Sequence, residues 1–91
     1  MSVTVRLPAQ LRGLTGGASE VAAPSGTVRD VISALEQGHP GLEARLLDEH
    51  GHLRRFVNIF VADEDVRFLD GLDTPVAVGQ TLSIVPAVAG G

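Results

Sequence analysis

Thr27-Val28-Arg29-Asp30-Val31-Ile32-Ser33-Ala34-Leu35-Glu36-Gln37-Gly38 is the stretch whose reading decides the fold. Val28, Val31, Ile32 and Leu35 fall at i, i+3, i+4 and i+7, so a helix here buries one apolar stripe and turns Arg29, Asp30, Ser33, Glu36 and Gln37 outward. Thr27 is a good N-cap, and Asp30 three residues on suits the positive end of the helix. Gly38 is expected to supply a left-handed C-terminal cap, with Pro40 just beyond, which ends the helix near Gln37. Leu42 to Leu47 can add a short helical turn.

The rest of the chain reads as strands. Ser2 to Leu7 alternates, with Val3, Val5 and Leu7 on one face and Thr4 and Arg6 on the other. Pro8 closes that strand, Leu11 and Leu14 are possible anchors in the following loop, and Gly16-Gly17 turns into a second short strand, Ser19 to Ala23. Beyond the helix, Phe56 to Val61 sets Val57, Ile59 and Val61 toward the core and Phe60 away from the helix. Val66-Arg67-Phe68 is expected to be a short fourth strand. Residues 69–78 form a loop pinned by Leu72, Val76 and Val78. In the last strand, Leu82 and Ile84 share the core face and leave Ser83 and Val85 on the open side, where Val85 joins Phe60.

Ile84-Val85-Pro86-Ala87-Val88-Ala89-Gly90-Gly91 leads out of that strand. Proline cannot donate to a sheet ladder, so the expected division is a domain over 1–85 and a flexible, protruding Gly-Gly tail over 86–91. Two glycines without Cβ atoms can lie flat in a narrow slot and present the Gly91 carboxylate to another protein's active site.

Composition excludes several functions. Ninety-one residues suffice for one modest core and leave function to the surface. No cysteine is present, which removes disulfides, thiolate metal sites, iron–sulfur ligation and a thiol nucleophile within the chain. The net charge is −4 and the seven arginines are scattered, so nucleic acid is not an expected partner. No stretch reads as a membrane span or signal segment, so the expected setting is cytoplasmic, without a membrane partner. His50 and His52 share a short loop but lack an evident third ligand, and His39 offers no chemistry either, so no metal is expected. Asp63, Glu64 and Asp65 sit in a turn, where water would keep them ordinary; a docking role is their functional option. Lysine is absent, so copies of this chain cannot be linked to one another through lysine side chains.

Strand, strand, helix and three further strands resemble the ubiquitin-like β-grasp fold: α+β, a mixed sheet of four to five strands packed on one helix. With the terminal Gly-Gly, the chain resembles sulfur-carrier proteins of the ThiS/MoaD type. It is most similar to the carrier of the thiocarboxylate-dependent cysteine pathway of actinobacteria, on the strength of Phe56-Val57-Asn58-Ile59, Asp63-Glu64-Asp65-Val66-Arg67-Phe68 and Pro86-Ala87-Val88-Ala89-Gly90-Gly91. The resemblance implies that Gly91 is adenylated by an E1-like activating enzyme that uses ATP, then converted to a thiocarboxylate. Pro86, Ala87, Val88, Ala89 and Gly90 would thread the partner's channel, and Phe60 with Val85 would form the docking patch.

The resemblance further implies a sulfur-accepting enzyme, of the cysteine synthase kind or a thiosugar, thiazole or molybdopterin synthase, and a metalloprotease that releases product. It implies no cofactor bound to the chain and no catalytic residue within it. Ubiquitin's arginine four residues before the final glycine is replaced by Ala87, which favours an activator that accepts an apolar tail. A protein modifier joined through Gly91 to lysines of other proteins, and a plain interaction module with an inert tail, are the competing readings.

Overall fold

Burial of the Val28, Val31, Ile32 and Leu35 stripe organises the molecule, as all four side chains are sealed from solvent against one face of a sheet. The computed structural model describes residues 2–86. Strands β1 (Ser2–Arg6) and β2 (Glu20–Pro24) form an antiparallel hairpin, joined through a 3-10 turn at Ala9–Thr15 that buries Leu11. A two-residue β3 (Gly26–Thr27) leads into α1 (Val28–Gly38), and a short α2 (Leu42–Leu46) follows. Then come β4 (Val57–Val61), β5 (Glu64–Asp65), β6 (Pro75–Val76) and β7 (Thr81–Pro86). The main sheet has the order β2-β1-β7-β4-β5, mixed because β7 runs parallel to β1 and antiparallel to β4. Val3, Val5, Ala23, Val57, Ile59, Val61, Leu82 and Ile84 supply its buried face, in step with the period of two read from the sequence.

The helix starts on a reciprocal cap. Thr27 Oγ1 accepts the Asp30 N–H at 3.2 Å, and the Asp30 carboxylate accepts the Thr27 N–H at 3.1 Å. These bonds hold the Asp30 carboxyl below its ordinary value, with the Thr27 backbone N–H the larger cause. Gly26 must be glycine, because its φ is +155° and a Cβ there would lie 2.9 Å from Asp30. Its strand β3 pairs with β6 in a second, two-stranded sheet that ties the helix start to residues 75–76.

Four local expectations are corrected. Gly38 is the last residue of α1, and His39 follows in an extended-side conformation with φ −139°. A residue before proline is driven out of the helical region, so the left-handed reversal is deferred past Pro40 to Gly41, at φ +102°. The Glu36 carboxylate, expected to face solvent, caps α2 by accepting the Gly41 and Glu43 N–H groups at 3.1 and 2.9 Å. Val66-Arg67-Phe68 forms a 3-10 turn, because the Asp65 carboxylate accepts the Arg67 N–H at 2.9 Å and only Val66 enters the core. Val78, expected to pin residues 69–78, is half exposed, whereas Val76 is buried and Leu72 packs partly against the core.

The β4–β5 connection is a two-residue turn in which Ala62 and Asp63 both have positive φ, +52° and +70°. That is the hairpin geometry whose twist matches the flanking strands, but alanine is strained in the left-handed region by about 1 kcal/mol. Ala62→Asn, a residue that visits this region readily, is expected to raise the unfolding free energy by roughly 0.5 kcal/mol. The check is a higher denaturant midpoint at unchanged slope.

Candidate functional site

Because β4 and β7 bury alternate residues, their other side chains are committed to the uncovered sheet face. The register sets Asn58 opposite Val85 and Phe60 opposite Ser83. Phe60 and Val85 are therefore diagonal neighbours, within reach for side chains of this size. Phe60 is half-buried and Val85 is 41% exposed, so the structure brings the two candidate docking residues together as a small apolar patch. Pro86 closes β7 opposite Val57, one residue later than the strand was expected to stop. A missing donor is tolerated at such a terminal position. Ala87, Val88, Ala89, Gly90 and Gly91 lie outside the described residues.

The three acids of the candidate docking turn do not act as one group. Asp63 occupies the hairpin turn and Glu64 begins β5, whereas the Asp65 carboxylate is engaged as the cap of the 3-10 turn. Moreover, β4 and β7 are antiparallel, so this turn lies at the opposite end of β4 from Val57 and Pro86, about 13 Å away along the strand.

A neighbouring arrangement had no clear signal in the sequence pattern. Val57 donates to the Arg54 carbonyl at 3.1 Å, closing a turn with Arg55 and Phe56 at its corner. The Arg67 guanidinium donates to that same carbonyl at 2.8 Å and to Asn58 Oδ1. Arg67 thus joins the turn, β4 and its own 3-10 turn, and the side chains next to the two turns stay in solvent: Phe56 is 62% exposed and Phe68 87%. All three phenylalanines of the chain lie outside the buried core, which is unusual for the residue type and was partly legible in Phe56-Val57-Asn58-Ile59-Phe60 as a second, outward-facing apolar set.

Elsewhere the chemistry is spent on structure. Asp48 Oδ1 accepts the His50 and His52 backbone N–H groups at 2.8 and 3.0 Å, and these bonds, that of His52 foremost, lower its carboxyl below the ordinary value. The loop is thereby closed by its own backbone. Among the described residues no three His, Cys, Asp or Glu side chains converge as a metal would require. A groove of about 630 Å³ between α1 and residues 43–54 carries Arg29, Arg54, Glu36 and Glu43 together. Its charges are of both signs, with Glu36 already capping α2 and Arg29 paired with Asp73.

The chain matches the ThiS family over residues 5–91. It is 52% identical over 93 aligned residues, covering all of both chains, to a protein named sulfur carrier protein CysO from Mycobacterium tuberculosis. It is 40% identical, again over both whole chains, to a putative sulfur carrier protein of Archaeoglobus fulgidus. Among solved structures, the CysO chain of the Amycolatopsis orientalis BexX/CysO complex superposes with a TM-score of 0.92 at 50% identity, covering 98% of this chain and 99% of that one. The α+β grasp of a mixed five-stranded sheet on α1, read first from one helical stripe, is therefore the ubiquitin-like fold of these proteins, and the chain belongs to the ThiS family.

Proposed function

We propose that the protein is a sulfur carrier whose reacting group is the α-carboxylate of Gly91. The observation that carries this reading is the end-to-end match to sulfur carrier proteins, coupled with a β7 that delivers Pro86 to the margin of the sheet. Five residues follow Pro86, and a five-residue chain reaches at most about 18 Å, enough to enter a pocket in another protein. No step needs a side chain of this domain. In the proposed cycle an E1-like enzyme joins the carboxylate to AMP from ATP, with pyrophosphate leaving. A sulfur donor then attacks the acyl carbon, a C–S bond forms, AMP departs with the cleaved C–O bond, and a thiocarboxylate results.

The chain is then a carrier and co-substrate with no catalytic site of its own, working in the cytoplasm. Pro86 to Gly90 would line the partner's channel, and the Phe60–Val85 patch would rest on the partner's surface. The acceptor we favour is an enzyme that makes cysteine, in keeping with the name of the 52% identical relative; a metalloprotease would then release the product. A partner of the BexX kind is supported by the complex of the A. orientalis homologue.

The test is the intact mass of the protein after incubation with ATP, an activating enzyme and sulfide, against controls lacking each. A gain equal to exchange of one oxygen for sulfur is expected, and it is expected to vanish when Gly91 is deleted. No gain with competent activators would overturn the reading.

A further inference from the structure

The surface around the end of β7 carries a second feature besides the Phe60–Val85 patch. Phe56 adjoins Val57, the register partner of Pro86, and Phe68 adjoins Arg67, whose guanidinium reaches Asn58 beside Val85. Both phenylalanines are largely exposed. Solvent-exposed aromatic rings cost hydration free energy, and here three hydrogen bonds through Arg67 hold the backbone that keeps them out.

Charge follows the same pattern. The protein is acidic, with a net charge of −4, yet Arg55 adjoins Phe56 and the Arg67 guanidinium reaches the Arg54 carbonyl and Asn58, so two of its seven arginines stand at this place. Among the described residues neither has a carboxylate within salt-bridge distance, and Arg67 donates to neutral oxygens; the Arg54 side chain turns away to the Ala44 carbonyl at 2.9 Å. Aromatic side chains and arginine are the types that most often dominate binding energy at protein interfaces.

From this geometry we infer that Phe56, Phe68 and the cations Arg55 and Arg67 form a docking surface for the rim of the enzyme whose active site receives Gly91, and that this rim is acidic with an apolar recess. The inference rests on the carrier reading. Chain length selects the occupant. A reach of at most about 18 Å beyond Pro86 must cover the depth of an enzyme pocket, so the rim of that pocket has to sit against the residues around Pro86. The acidic turn at Asp63, at the far end of β4, is not required to touch it. Charge selects the chemistry, because two cations without a carboxylate partner among the described residues are best desolvated against carboxylates.

The probe is purified A. orientalis BexX, titrated calorimetrically with the whole chain. Phe56→Ala and Phe68→Ala are each expected to weaken binding about tenfold or more, the size of effect seen when an interface anchor is truncated. Arg55→Glu is expected to weaken it further, and the affinity of the unmodified chain to fall as salt rises. Arg45→Glu, an equal charge change at an exposed position of α2, serves as the control with affinity unchanged. Circular dichroism and denaturant midpoints should match for all variants, since none of these side chains is buried.

Unchanged affinity in the three variants, or no binding of the unmodified chain to BexX, overturns the inference. If the variants alter sedimentation of the protein alone and leave BexX binding intact, the occupant is a second copy and the inference also falls. The mass assay separates the two readings: a sulfur-for-oxygen gain that persists while docking variants bind normally removes this surface and keeps the carrier, whereas no gain removes the carrier itself.

Discussion

Adding one alanine after Gly91 is expected to abolish thiocarboxylate formation while leaving the unfolding midpoint where it was. One more residue moves the terminal carboxylate by up to 3.8 Å, and a misplacement of 1 Å at a reacting centre already costs about 100-fold in rate. The added residue also brings a Cβ and a methyl group to a position that two glycines keep clear. Intact-mass measurement of the extended chain with ATP, activator and sulfide reads the result directly. A sulfur-for-oxygen gain at normal rate would show that the receiving slot accepts both extra length and a side chain, and the register argument for Gly91 would fail. The change follows residues 87–91, beyond the described residues, and a drop in stability would point to a different role for this segment.

Leu46→Ala is expected to lower the unfolding free energy by about 3 kcal/mol. Leu46 is fully buried, although its helix α2 has five residues, too few to be stable in isolation. What holds α2 is the seating of Leu42 and Leu46 beneath α1, together with the Glu36 carboxylate over its first N–H groups. The substitution removes three carbons, and at a site this enclosed the truncation leaves a cavity that its neighbours fill only in part. Against a total stability of about 5–15 kcal/mol the change is easily resolved in a urea titration. A loss below about 1 kcal/mol, the range of surface substitutions, would show that α2 is an adjustable flap instead of part of the core.

Much of this fold was legible because its signals are local and periodic. The α1 stripe, the alternation in β1, β4 and β7 and the Thr27 cap each depend on residues within one element, and all appear where the periodicity puts them. The patch of Phe60 and Val85 was legible for the same reason, since alternation assigns each residue to a face before any partner strand is known. The misread places are those where a distant group competes for a short segment. Val66-Arg67-Phe68 has strand-forming residues, but the Asp65 cap and the bonds from Arg67 to Asn58 and Arg54 turn it into a 3-10 helix. Gly38 looked like the helix terminus, whereas the constraint Pro40 places on His39 and the use of Glu36 by α2 moved the reversal to Gly41.

By itself the sequence determined which faces would be buried, where α1 starts, that these residues carry no thiol chemistry, and that Gly90-Gly91 follow an apolar stretch after Pro86. Those are properties of side-chain type and spacing. Only the tertiary structure decided that β7 inserts between β1 and β4, that Pro86 therefore comes to rest beside Val57, and that Arg67 ties its own 3-10 turn to Asn58 and to the turn before β4. Residues 56, 67 and 86 are distant in the chain, and neither hydrophobic period nor local propensity carries information about which strands pair. Strand order is settled by the closing of one common core, and that closure places the arginine clamp and its exposed phenylalanines where the chain leaves the sheet.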